Sequence, residues 1–103
     1  MPGLKKFKDD LRAAGRRNPQ LLTNKLEKLD FSELELSILK YRYIEGLLIK
    51  QIAYRTGYGE PWVKKVYRRA TLKLLDRLKL ADLLELNIDL QAPSRLLYTG
   101  GLF

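Results

Sequence analysis

The sequence contains no cysteine and no histidine. Those absences exclude disulfide bridges, thiol nucleophiles and imidazole general bases, and they remove the usual ligands of a structural zinc site. An enzyme built on this chain would have to work with carboxylates, lysine or tyrosine, and no pair of such groups stands at a spacing that argues for catalysis. A non-enzymatic protein without a cofactor is the expectation. Long apolar runs are missing too. The first twenty residues are broken by Lys5, Lys6, Lys8, Asp9, Asp10, Arg12, Arg16 and Arg17, which leaves no apolar core for a targeting peptide. No uncharged stretch approaches the roughly 20 residues that a membrane-spanning helix needs. A cytoplasmic protein that does not act on membranes follows as an expectation.

What is present is apolar bulk and positive charge. Hydrophobic residues make up 46% of the 103 and charged ones 31%, enough for one core and too apolar for a disordered chain. The 20 Lys and Arg outnumber the 12 Asp and Glu, for a formal net charge of +8. The excess is uneven. Residues 60–79 carry seven basic and two acidic side chains, whereas residues 80–103 carry one basic and three acidic ones. In the basic stretch Lys64, Lys65, Arg68, Arg69, Lys73, Arg77 and Lys79 interleave with Val63, Val66, Tyr67, Ala70 and Leu74. That pattern describes a helix with one buried stripe and a cationic face whose potential attracts polyanions.

Apolar residues recur at three- and four-residue steps throughout, with no sustained alternation, so the chain reads as all-α. A short N-terminal helix is expected over Leu4, Phe7 and Leu11, stopping at Gly15. Residues 16–19 then read as a linker, because Pro19 disfavours helical geometry at Asn18. Residues 1–19 form a basic N-terminal extension on this reading, and a second helix covers about Gln20 to Leu29. Ser32 and Glu35 have the spacing of a capping box, with Phe31 and Leu36 as a hydrophobic staple. They start a helix that runs from about Glu33 to Ile44 and stops at Gly46 in the left-handed region. A short helix from Leu48 to Thr56 ends at Gly57. A long one from Glu60 to about Leu80 follows, with Gly59 as N-cap and Pro61 in the first turn. A break near Ala81 leads into a Leu-rich C-terminal segment, residues 81–103, whose last part, 91–103, reads as a tail. Tyr41, Tyr43, Tyr54, Tyr58 and Tyr67 are expected to be half-buried with exposed hydroxyls.

Two helices of about eight and twenty residues joined by a tight glycine turn are the sequence form of a helix-turn-helix within a domain covering residues 20–80. Each position has a physical task. Ile52 buries against the second helix, and Ala53 is small because that helix crosses close to it. Gly57 supplies the positive φ of the turn, Tyr58 plugs the corner, and Val63 and Val66 seat the second helix. Trp62 either wedges against the first helix or lies along a sugar-phosphate backbone.

On these residues the stretch Phe31 to Leu78 resembles region four of bacterial sigma factors and the wider group of sigma-like regulators. The resemblance lies in Leu36 to Ile44, Glu45-Gly46, Lys50-Gln51-Ile52-Ala53, Thr56-Gly57-Tyr58, Val63-Lys64 and Tyr67-Arg68-Arg69-Ala70, followed by Leu74 and Leu78. The chain departs from the pattern at Thr56, where an aliphatic residue is usual, and at Gly59-Glu60-Pro61-Trp62, where a serine-type cap is common. The resemblance implies a small helical bundle that binds double-stranded DNA, with the second helix in the major groove and the first across the backbone. Its outward set is then Glu60, Pro61, Lys64, Lys65 and Arg68. Lys64, Lys65 and Arg68 suit guanine O6 and N7, and Glu60 suits cytosine N4. Arg69, Lys73 and Lys50 suit phosphate. RNA polymerase is a further partner that the resemblance implies. The Leu-rich segment is expected either to pack beneath the N-terminal helices or to form a homodimer seam. The rival reading is an interaction or assembly protein that uses the same fold on a protein or a structured RNA, as in phage packaging or a ribonucleoprotein.

Overall fold

Among residues 2–88, which the computed structural model describes, the apolar periodicity resolves into α-helices and one π-helical turn, with no strand. The helices are α1 (Pro2–Arg17), α2 (Pro19–Glu27), α3 (Glu33–Leu39), α4 (Ile49–Thr56), α5 (Glu60–Arg77) and α6 (Leu80–Leu86). α3 runs on directly into the π turn at Lys40–Ile44. None of the described helices is long and apolar enough to cross a membrane.

α1 is longer than its sequence pattern suggests. The expected stop at Gly15 does not occur, and only Asn18, at φ −147°, leaves helical geometry. Asn18 caps α2 by accepting from the Leu21 N–H at 3.3 Å, and Pro19 occupies a first-turn place where no amide is needed. Gly15 has another task. α1 crosses the π turn so closely that a Cβ at this residue would lie 1.8 Å from the Tyr43 carbonyl oxygen. Glycine alone permits that approach. Leu4, Phe7, Leu11 and Ala14 are buried in the same core as the inward residues of α2 to α5. The basic stretch expected as an extension is thus a core helix on its apolar side.

The capping box that starts α3 is present in both directions. Glu35 N–H donates to the Ser32 hydroxyl at 3.2 Å, and Ser32 N–H donates to the Glu35 carboxylate at 3.0 Å. The expected end is also in place, with Gly46 at φ 72°. The last turn is π rather than α, marked by the bond from the Glu45 N–H to the Lys40 carbonyl at 3.0 Å.

The π turn directs Tyr43 into the core. Its hydroxyl donates to the Tyr67 hydroxyl at 3.0 Å and shares a 2.9 Å hydrogen bond with the buried Thr71 hydroxyl. Tyr43 and Tyr67 therefore do not present their hydroxyls to solvent as expected, because α5 and the π turn satisfy them internally. Burial, reinforced by the neighbouring Tyr67, pushes the ionisation of Tyr43 well above its ordinary value. Tyr54 departs in the other direction and is 89% exposed.

The break after α5 falls at Leu78 and Lys79, slightly before Ala81. Lys79 N–H donates to the Asp82 carboxylate at 3.0 Å and starts α6. α6 lies against α2, where Lys25 bonds Asp82 at 2.9 Å and also reaches Glu85. Leu86 and Ile88 are buried, so the start of the Leu-rich segment packs on its own chain, while Leu80 and Leu84 stay exposed. Leu90, Leu96, Leu97, Leu102 and Phe103, to which the expected dimer seam and the tail extend, lie outside the described residues.

Candidate nucleic-acid interface

α4 and α5 are fixed to each other by a three-residue turn. α4 opens with the Leu48 N–H donating to the Gln51 side-chain oxygen at 2.8 Å and ends at Gly57, where φ is 80°. The Gly57 N–H closes the helix onto the Ala53 carbonyl at 2.9 Å. Thr56, the polar departure from the sigma pattern, donates its hydroxyl to the Ile52 carbonyl at 2.9 Å and so needs no apolar pocket. Gly59 is extended and Pro61 falls in the first turn of α5. Ile52 and Ala53 from α4 and Val63 and Val66 from α5 are all buried.

Tyr58 does not plug the corner. It is 47% exposed and stacks on Trp62, with ring centroids 4.4 Å apart and planes 28° from parallel. Trp62, 40% exposed, packs on this turn residue. Two aromatic faces stand at the entrance of α5, beside Glu60. Lys50 and Tyr54 reach the same corner from α4, across a shallow groove that includes Gly57 and Gly59.

The cations of α5 divide by flank. Lys64, Lys65 and Arg68 are exposed, and none of the three pairs with a carboxylate among the described residues. Arg69 and Lys73 stand on the side toward α3 and share Glu35, at 3.9 and 3.6 Å. Lys73 also lies over the Phe31 ring, 5.2 Å from its centroid, and is half-buried. The Ser32 N–H, then the charge of Lys73, hold the Glu35 carboxyl below its ordinary value despite its partial burial. Arg69 and Lys73, which the sequence groups with Lys50 as phosphate contacts, thus already have an internal counter-charge.

Two members of this surface escape sequence reasoning. Lys5 and Lys8 of α1 lie across a groove from Arg68, and Lys8 sits over the Tyr67 ring at 5.2 Å. The signal was the spacing of Leu4, Phe7 and Leu11, which puts Lys5 and Lys8 beside the buried stripe. What spacing does not supply is the partner helix, some sixty residues away in the chain.

No protein-family model, no curated protein and no solved structure matches the chain.

Proposed function

We propose that this protein is a non-enzymatic, sequence-specific regulator of transcription that binds double-stranded DNA through α4 and α5, a helix-turn-helix of the sigma region four type. The observation that carries the reading is the exposed start of α5. There Lys64, Lys65 and Arg68 have no carboxylate partner among the described residues, on a helix that the Gly57 turn and buried Ile52, Ala53, Val63 and Val66 seat against α4. In the major groove these three side chains read guanine edges, Glu60 accepts from cytosine, and Lys50 meets phosphate from α4. RNA polymerase is the protein partner of this reading. Self-association through exposed Leu80 and Leu84 would set two α5 helices on half-sites about one DNA turn apart.

A second reading has its own observation. The Tyr58–Trp62 stack offers ring faces to unpaired bases, which suits a structured RNA better than a closed duplex. Selection from mixed random pools of duplex DNA and folded RNA separates the two. Recovery of a duplex consensus whose affinity falls linearly in log salt supports the regulator, and exclusive recovery of RNA supports the rival.

A further inference from the structure

We propose that the groove between α1 and α5 clamps the phosphodiester backbone of the same DNA duplex whose major groove receives α5. The inference rests on the DNA-binding reading above and assigns a role to α1, which a two-helix motif does not require. The groove has a volume of about 440 Å³ and is lined by Leu4, Lys5, Lys8, Arg68 and Leu72. Three cations and two leucines face it, with no carboxylate in its lining among the described residues.

The charges of α1 are sorted toward this arrangement. Lys6 pairs with Asp10 and Arg12 with Asp9, each at 2.9 Å, so both acidic residues of the helix are engaged by other cations. Lys5 and Lys8 have no carboxylate partner among the described residues. Lys8 is steadied over the Tyr67 ring, which fixes where its charge stands. Lys5 and Lys8, without a carboxylate partner among the described residues and set beside the Arg68 that enters the major groove, fit the phosphates bordering that groove, whose recognition needs charge more than exact hydrogen-bond geometry.

Binding of the full chain to its selected duplex over a salt series tests the clamp. The variants are Lys5→Gln, Lys5→Gln with Lys8→Gln, and Lys28→Gln, an exposed lysine at the end of α2, as control. The expected result is a log–log salt slope shallower by about one for the single variant and about two for the double, with equal loss on selected and unrelated duplexes. The control keeps the wild-type slope. Lys5→Gln carries the test even where loss of Lys8 over Tyr67 softens the fold, since Lys5 is exposed and an unchanged melt certifies the variant. A wild-type slope in both variants, with duplex binding intact, overturns the clamp and leaves the DNA reading standing. Failure of the wild-type chain to bind any duplex overturns both. A change of slope on hairpin RNA or on anionic vesicles, without one on duplex DNA, also overturns the assignment.

Discussion

At the seam where α6 meets α2 and the end of α1, Lys25 is held by Asp82 and Glu85, and Arg17 donates to the Leu86 carbonyl oxygen at 2.9 Å. On the first turns of α5, Lys64, Lys65 and Arg68 face solvent with no carboxylate partner among the described residues. The residue types are the same and their surroundings are opposite. Carboxylates at the seam turn cations into a fastening between helices, whereas Lys64, Lys65 and Arg68, unpaired among the described residues, leave a field available to a ligand. Exposed ion pairs add little stability individually, so withholding them from α5 costs the fold little. Net charge alone does not distinguish the two uses. The flank of α5 toward α3 is intermediate, because Arg69 and Lys73 share the single carboxylate of Glu35.

Both surfaces hang on one frame, and the largest effect comes from breaking it. Gly15→Val puts a side chain into the Tyr43 carbonyl and should cost about 3 kcal/mol in chemical unfolding, since backbone on both sides must move. The fastening and the cationic face should be lost together. A variant that melts like the wild type would mean that α1 does not cross the π turn as described.

Gly57→Val acts closer to the site. Among the described residues no atom would obstruct a Cβ there, so the cost is that of φ 80° itself, about 1–3 kcal/mol for a branched residue. Duplex affinity should fall with it, because α5 loses its fixed angle to α4, and the α2–α6 seam should stay intact. An unshifted thermal melt would place the turn elsewhere.

These two glycines also show what sequence reveals. Gly57 was legible because its task is local: a left-handed residue between two helices, followed by an extended Gly59 and a first-turn Pro61. The Ser32–Glu35 box was legible for the same reason. Local propensity reads Gly15 as a stop, yet the reason for that glycine is a carbonyl on another helix, which spacing along one helix does not reveal. The tyrosines divide likewise. Periodicity places Tyr43 and Tyr67 inward, but only packing shows that each hydroxyl meets a partner there. Of the interface, the α5 cations and their outward direction came from the sequence. The contribution of α1 and the counter-charge at Glu35 needed the fold.

Acid sharpens the contrast without a mutation. Glu35 and Asp82 titrate below their ordinary values of 4.5 and 3.8, Glu35 chiefly through the Ser32 N–H and Asp82 chiefly through Lys25. The unfolded chain takes up these protons before the folded one. The stability they contribute is therefore full above about pH 5 and is lost as pH falls through the lowered values. Denaturant melts should weaken in acid as these two carboxylates take up protons. A stability that rises as pH falls through this range would contradict the assignment of both carboxylates.

The smallest effect belongs to the seam alone. Lys25→Ala should lower the melting temperature slightly and leave duplex affinity unchanged, as followed by a thermal melt and a binding isotherm on the same sample. Loss of affinity without loss of stability would show that this cation also serves a ligand.

The central claim, that the unmatched cations of α5 hold duplex DNA, is tested most directly by reversing charge at Lys65 and Arg68 together and titrating binding against salt. The wild-type chain should show log K falling linearly with log salt, with roughly four to eight counterions released. The double Lys65→Glu, Arg68→Glu variant should lose duplex binding while its melt stays within about 0.5 kcal/mol of wild type, as expected for exposed positions. A folded variant that binds the selected duplex with wild-type affinity and salt slope would contradict the account.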